Sequence, residues 1–188
     1  TGFRVEFAVY VHVPFCRVQC PYCTFYTVAC PGETAPLGRF TAAVGREWER
    51  RIRPRLQRGD RLTSLYLGGG SPSDLPGAAL GALLHGFAAD LPGGLGALQE
   101  TTVECNPESA TPALLDILRG AGVNRVSLGV QALDAGDLAR LGRGATLAQN
   151  RAALAAVASR FPTWNADLIL GIPGSSQQRL AAALEELQ

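Results

Sequence analysis

Tyr10-Val11-His12-Val13-Pro14-Phe15-Cys16-Arg17-Val18-Gln19-Cys20-Pro21-Tyr22-Cys23 is the stretch that decides how the rest of this chain is read. It sets three thiols into eight residues in the pattern C-x3-C-x2-C. Such tight spacing, directly after an apolar extended run, predicts a metal-binding loop. Iron–sulfur clusters are usually held by four cysteine thiolates, so a loop offering three leaves one iron of a four-iron cluster open to a ligand from outside the protein. A structural zinc site wants four protein ligands, commonly as two pairs. His12 is the nearby candidate for a fourth, and it sits in the extended run rather than in the loop. Three unconnected cysteines form the remaining alternative.

Outward from the loop, apolar and β-branched runs predict five strands over residues 7–13, 62–67, 101–105, 125–130 and 164–170. Helices are predicted between and after them over residues 40–52, 78–89, 112–119 behind the cap Thr111, 147–160 behind the cap Thr146, and 177–188. Near-continuous apolar strands alternating with helices argue for an α/β fold with a parallel sheet, hence a βα barrel or part of one. Each polar or glycine-rich motif then falls at the carboxyl end of a strand. The cysteine loop follows the first, Gly68-Gly69-Gly70-Ser71-Pro72-Ser73 the second, and Glu104-Cys105-Asn106-Pro107-Glu108 the third. Gly129-Val130-Gln131 ends the fourth, and Gly171-Ile172-Pro173-Gly174 follows the fifth. This is the face on which such folds build their sites.

The 188 residues, 47% of them hydrophobic, suffice for one domain with a real core. No apolar run approaches the roughly 18 residues of a membrane span, and Arg4 and Glu6 interrupt the start, so neither a span nor a secretory signal is expected and the setting is read as cytoplasmic. Five cysteines, three of them clustered, then argue for ligand thiolates rather than disulfides, with Cys30 and Cys105 as ordinary free thiols. A net charge of +1 gives no footprint for nucleic acid. The arginines at 46, 50, 51, 53, 55, 58 and 61 are interleaved with Glu47, Glu49 and Asp60 and read as a solvated face. The 17 basic residues are all arginine; without lysine there is no Walker-A loop, kinase lysine or Schiff-base chemistry.

The opening Y-x-H-x-P-F-C-x3-C-x-Y-C resembles the signature of the radical S-adenosylmethionine (SAM) enzymes, in the branch of oxygen-independent coproporphyrinogen oxidase and the haem chaperone HemW. The resemblance covers nearly all of the chain through five ordered motifs and implies a partial (β/α) barrel. It also implies a [4Fe-4S] cluster on Cys16, Cys20 and Cys23, with SAM chelating the open iron, and an electron donor as partner. It assigns Gly69, Gly70 and Ser71 to the methionyl end of SAM and Glu104 to its amino group. Gln131 and Asp167 go to the ribose hydroxyls, Arg143 to the carboxylate, and Tyr10 and Tyr22 flank the cluster. His12 is expected as a wall histidine rather than a ligand.

Cores of this family usually have six βα units, so residues 1–188 are expected to be a core domain lacking its sixth unit and a C-terminal domain. The last strand would then be an open edge and the isolated piece prone to association. Two residues after the last cluster cysteine, the oxidase carries a further cysteine where this chain has Phe25. That departure favours haem binding and delivery over oxidative decarboxylation of a porphyrinogen. A zinc-stabilised, non-catalytic domain is the third alternative.

Overall fold

The computed structural model describes residues 4–30 and 35–188. Its centre is a five-stranded parallel sheet of β1 (Glu6–Val13), β4 (Arg61–Gly69), β5 (Glu100–Cys105), β6 (Arg125–Gln131) and β7 (Thr163–Leu168), hydrogen-bonded in that order. A second, two-residue parallel pair, β2 (Phe15–Cys16) and β3 (Val28–Ala29), closes the cysteine loop. The helices are α1 (Ala35–Arg51), α2 (Arg53–Gln57), α3 (Gly77–Ala88), α4 (Pro112–Gly120), α5 (Ala135–Arg140), α6 (Leu147–Ala158) and α7 (Gln177–Glu186). All five expected strands are present in the expected order, and β1 and β7 are the sheet's open edges.

Local chemistry sets the boundaries. Thr111 caps α4 by accepting from the Leu114 amide, and Thr146 forms a reciprocal capping box with Gln149 ahead of α6. Pro54, in the first turn of α2, lacks the N–H needed to continue a helix, and α1 stops at Arg51. The expectation missed α5, a six-residue helix whose Asp134 side chain accepts from the Asp137 amide. The arginine-rich stretch lies in α1, α2 and the start of β4. There Arg51 pairs with Glu47 at 3.1 Å, Arg53 with Asp90 at 3.0 Å and Arg55 with Asp60 at 3.2 Å.

The strands are less apolar than expected, because only one face of the sheet is covered. Val11, Val13, Leu65, Leu67, Val103, Val126, Leu128 and Val130 alternate onto one core with Leu80, Leu84, Phe87, Leu115, Leu118, Leu154 and Val157 of the helices. Pairing with β1 slips at Phe7/Ala8, and Thr63 is the residue skipped. The slip places Leu62 and Leu65, an odd interval apart, in the same core. Trp48 of α1 stacks on Phe87 of α3 at 4.2 Å and donates to Asp90 at 2.9 Å.

The other face carries Tyr10, His12, Tyr66, Thr102, Glu104, Arg125, Ser127, Asn165 and Asp167, whose registers set them side by side across the strands. Among the described residues no helix is long and apolar enough to cross a membrane.

Candidate metal and cofactor site

The cysteine loop is tied down at both ends. Val28 donates to Pro14 O at 2.7 Å and Cys30 to Cys16 O at 2.9 Å, while Cys23 N–H closes a turn on Cys20 O at 3.0 Å. The strand end below grips the loop from its other side, with Gly70 donating to Val13 O and Ser71 to Phe15 O, both at 2.7 Å. A Cβ on Gly70 would stand 2.6 Å from Phe15 O, so a side chain there would lift the loop off the sheet. The Arg17 amide donates to Asp74 at 2.9 Å. His12 bonds Tyr10 Oη through Nδ1 at 3.1 Å and the Tyr26 carbonyl through Nε2 at 3.0 Å. A carbonyl only accepts, so Nε2 carries the proton, and His12 is a strut between sheet and loop.

The loop roofs a pocket of about 160 Å³ over the carboxyl ends of the strands. Cys16, Cys20 and Cys23 line it together with Tyr22, Gly69, Gly70, Ser71, Glu104, Gln131, Arg143 and Asp167. Residues from the first four of the five motifs thus meet in one cavity, and the last turn, Gly171 to Gly174, does not reach it. Tyr10 does not line it; it stands on the β1 edge, 57% exposed, with its ring 5.9 Å from that of Tyr66.

Within the pocket the polar groups are already oriented. Glu104 accepts from Tyr66 Oη at 2.7 Å and from the Gly69 amide at 2.9 Å. Asp167 accepts from Ser127 at 2.9 Å and from Asn165 at 2.7 Å. Gln131 sits at φ 68°, the one non-glycine residue at positive φ among those described. Asn150 of α6, fully buried, donates to Val130 O at 3.0 Å and Ala132 O at 2.9 Å and so clamps the chain on both sides of that kink. Strained backbone of this kind persists only where the surroundings hold it.

Arg143, 6% exposed at its side chain, comes from the loop between α5 and α6. It donates to Cys20 Sγ at 3.6 Å, Asn106 Oδ1 at 3.2 Å and Gly129 O at 3.0 Å, and lies 3.8 Å from Glu108. Its buried Nε–H has no acceptor among the described residues, leaving one donor unused. Asn106, part of the third strand's motif but given no role there, is a hub: its amide donates to Ser73 Oγ at 3.0 Å and its Nδ2 to Ser71 Oγ at 2.9 Å.

The electrostatics follow from burial. Desolvation, then Asp74 and the other two thiols, push the Cys16 thiol up to about 11. Desolvation likewise pushes the Tyr22 phenol up to about 12, opposed by Arg143 and aided by Cys20. Cys105 also lines the pocket, and its complete burial pushes it up to about 12.

Three thiols of one loop line one pocket, the donor set that a four-iron cluster with one open iron would use. None of the three thiols is in a disulfide. Among the described residues no three His, Cys, Asp or Glu side chains are placed to hold one metal ion. Arg143 brings a buried guanidinium to the pocket wall, a charge that an anionic group there would pair with.

A family model described as "Radical SAM superfamily" matches residues 10–187. The chain is 36% identical over 183 residues to "Heme chaperone HemW" of Escherichia coli, covering 96% of this chain and 46% of that protein. It is 38% identical over 184 residues to the protein of the same name in Mycobacterium tuberculosis, covering 95% of this chain and 45% of the other. Among solved structures, coproporphyrinogen III oxidase (HemN) from Escherichia coli, described as a radical SAM enzyme, superposes with a TM-score of 0.84 at 26% identity, over 98% of this chain and 41% of that one. The chain therefore spans slightly under half the length of these relatives.

Proposed function

This chain belongs to the radical SAM superfamily, and from that premise we propose that it is the [4Fe-4S]- and SAM-binding core of a protein that binds and delivers haem. The observation that carries the proposal is the single pocket shared by Cys16, Cys20 and Cys23 with Glu104, Gln131, Arg143 and Asp167. When bound, the cluster supplies single-electron reduction of a sulfonium. The residues of the chain do the rest: the three cysteines hold the cluster, and Gly69, Gly70 and Ser71 bring bare backbone and a hydroxyl close to the methionyl end. Glu104 receives the amino group, Arg143 the carboxylate, and Asp167 with Gln131 the ribose hydroxyls. Ligand thiolates must stay reduced, which a cytoplasmic setting provides, and an electron donor is a required partner.

Phe25 and the names of the relatives support haem delivery as the role. Phe25 lines the pocket and is 69% exposed, and a phenyl ring cannot replace a thiol there. The likeness to the oxidase structure favours a second reading, oxidative decarboxylation of a porphyrinogen.

Anaerobic reconstitution of the full-length protein with iron and sulfide, followed by absorption and electron paramagnetic resonance spectroscopy, tests the cluster. Cys16→Ala, Cys20→Ala and Cys23→Ala proteins should each lose it, and Cys105→Ala should keep it. Retained iron in the Cys20→Ala protein, or a colourless wild type holding about one zinc, would refute the assignment. Incubation with SAM, reductant and coproporphyrinogen then divides the roles. Stable haem capture without turnover supports delivery, and protoporphyrinogen formation supports decarboxylation.

A further inference from the structure

Glu104 is held by two donors, one of which stands outside the pocket that it serves. Its Oε1 accepts from Tyr66 Oη at 2.7 Å and its Oε2 from the Gly69 amide at 2.9 Å. Gly68 leaves the space for this arrangement, since a Cβ there would stand 2.7 Å from both Glu104 Cδ and Tyr66 Cε1. Tyr66 does not line the pocket; it rises from β4, paired with Tyr10 of β1 and Thr102 of β5. Desolvation, then the hydrogen bond to Glu104, raise its phenol above the ordinary value, so it remains a donor at any working pH. An ionised carboxylate offers about four lone-pair sites. With one occupied on each oxygen, the carboxylate cannot rotate and the remaining sites have a set direction.

We propose that Tyr66 is a positioning residue that fixes Glu104 to receive the amino group at the methionyl end of SAM. The proposal rests on the SAM-site reading above. The role of Tyr66 comes from facing Glu104 across the β4–β5 pair. Asp167 has its own pair of donors in Ser127 and Asn165, of which Ser127 also lies beside Tyr66, so each carboxylate is held directly by a different pair of groups within one network.

Because Tyr66 donates its one hydroxyl proton to Glu104, the proposal is testable with three ligands on the full-length, cluster-reconstituted protein. S-adenosylhomocysteine shares the amino-acid end with SAM, whereas 5′-methylthioadenosine lacks it and keeps the adenosine. Tyr66→Phe, which removes one oxygen, should weaken SAM and S-adenosylhomocysteine roughly five- to twentyfold in titration calorimetry and leave 5′-methylthioadenosine unchanged. In a Glu104→Ala background the same substitution should have no further effect, because the group it positions is gone. Unchanged SAM affinity in the Tyr66→Phe protein would overturn the proposal. So would equal weakening of all three ligands, which would mean a general disturbance of the pocket. A wild type that binds none of the three would remove the SAM site itself, and Tyr66's role with it.

Discussion

Replacing Gly69 with alanine is the sharpest test of how the loop, the sheet and the site are joined. Gly69 ends β4 at φ +111°, a region that an L side chain enters at a cost of roughly 1–2 kcal/mol. A Cβ there would meet the His12 ring, standing 2.5 Å from Cε1 and 3.1 Å from Cγ, with Nδ1 in contact as well. The ring is not free to swing away, because Tyr10 Oη and the Tyr26 carbonyl hold it at 3.1 and 3.0 Å. Overpacking against such a held group costs roughly 1–3 kcal/mol, so the total is about 2–5 kcal/mol. Against a typical domain stability of roughly 5–15 kcal/mol this is a large loss. Urea denaturation with linear extrapolation measures it, and Gly86→Ala is the control. Gly86 lies inside α3 with nothing within 4 Å of a new Cβ, so alanine there should stabilise by roughly 0.5–1 kcal/mol. Adding His12→Ala to Gly69→Ala should recover the packing share and leave the backbone share. A loss below about 1 kcal/mol for Gly69→Ala, or no coupling to His12, would refute the reasoning.

Arg143→Ala should weaken SAM binding by roughly 1.5–3 kcal/mol, read by calorimetry; unchanged affinity would remove Arg143 from the site. Asn150→Ala strips a donor from two buried carbonyls and frees the kink at Gln131, and should destabilise by roughly 2–3 kcal/mol in denaturant melts while also weakening nucleoside binding. A neutral Asn150→Ala protein would show that the kink stands unaided. Cys105 carries a pH prediction: its folded value of about 12 lies above the ordinary 9.0, so the buried neutral thiol contributes stability that is fully present below pH 9 and is lost as pH rises towards 12. Cys105→Ala should flatten that part of the stability profile, and at pH 8 Cys105 should be the slowest thiol to alkylate in the folded protein.

Much of the fold was legible in the residues because the signals were local. Apolar, β-branched runs marked β1, β4, β5, β6 and β7, Thr111 and Thr146 marked helix starts, and glycines marked the strand ends. Two departures share one cause. The strands were expected to be apolar throughout, yet Thr102, Glu104, Arg125, Ser127, Asn165 and Asp167 occupy one face. The helices cover the other face only, a fact about layers that no single strand records. Tyr10 was grouped with the cluster by its closeness in sequence, and the pleat turns it to the exposed face of an edge strand instead.

The sequence by itself determined the parallel α/β plan and the identity of the three thiols in their loop, because apolar β-branched runs, caps and short-range spacing are written in neighbouring residues. Only the tertiary structure decided which groups orient the site. Tyr66 on Glu104, Ser127 and Asn165 on Asp167, and Asn150 on the kink at Gln131 are contacts between separate elements. Their directions depend on register and crossover packing, which set atoms to within a hydrogen bond's tolerance and leave no periodic trace along the chain.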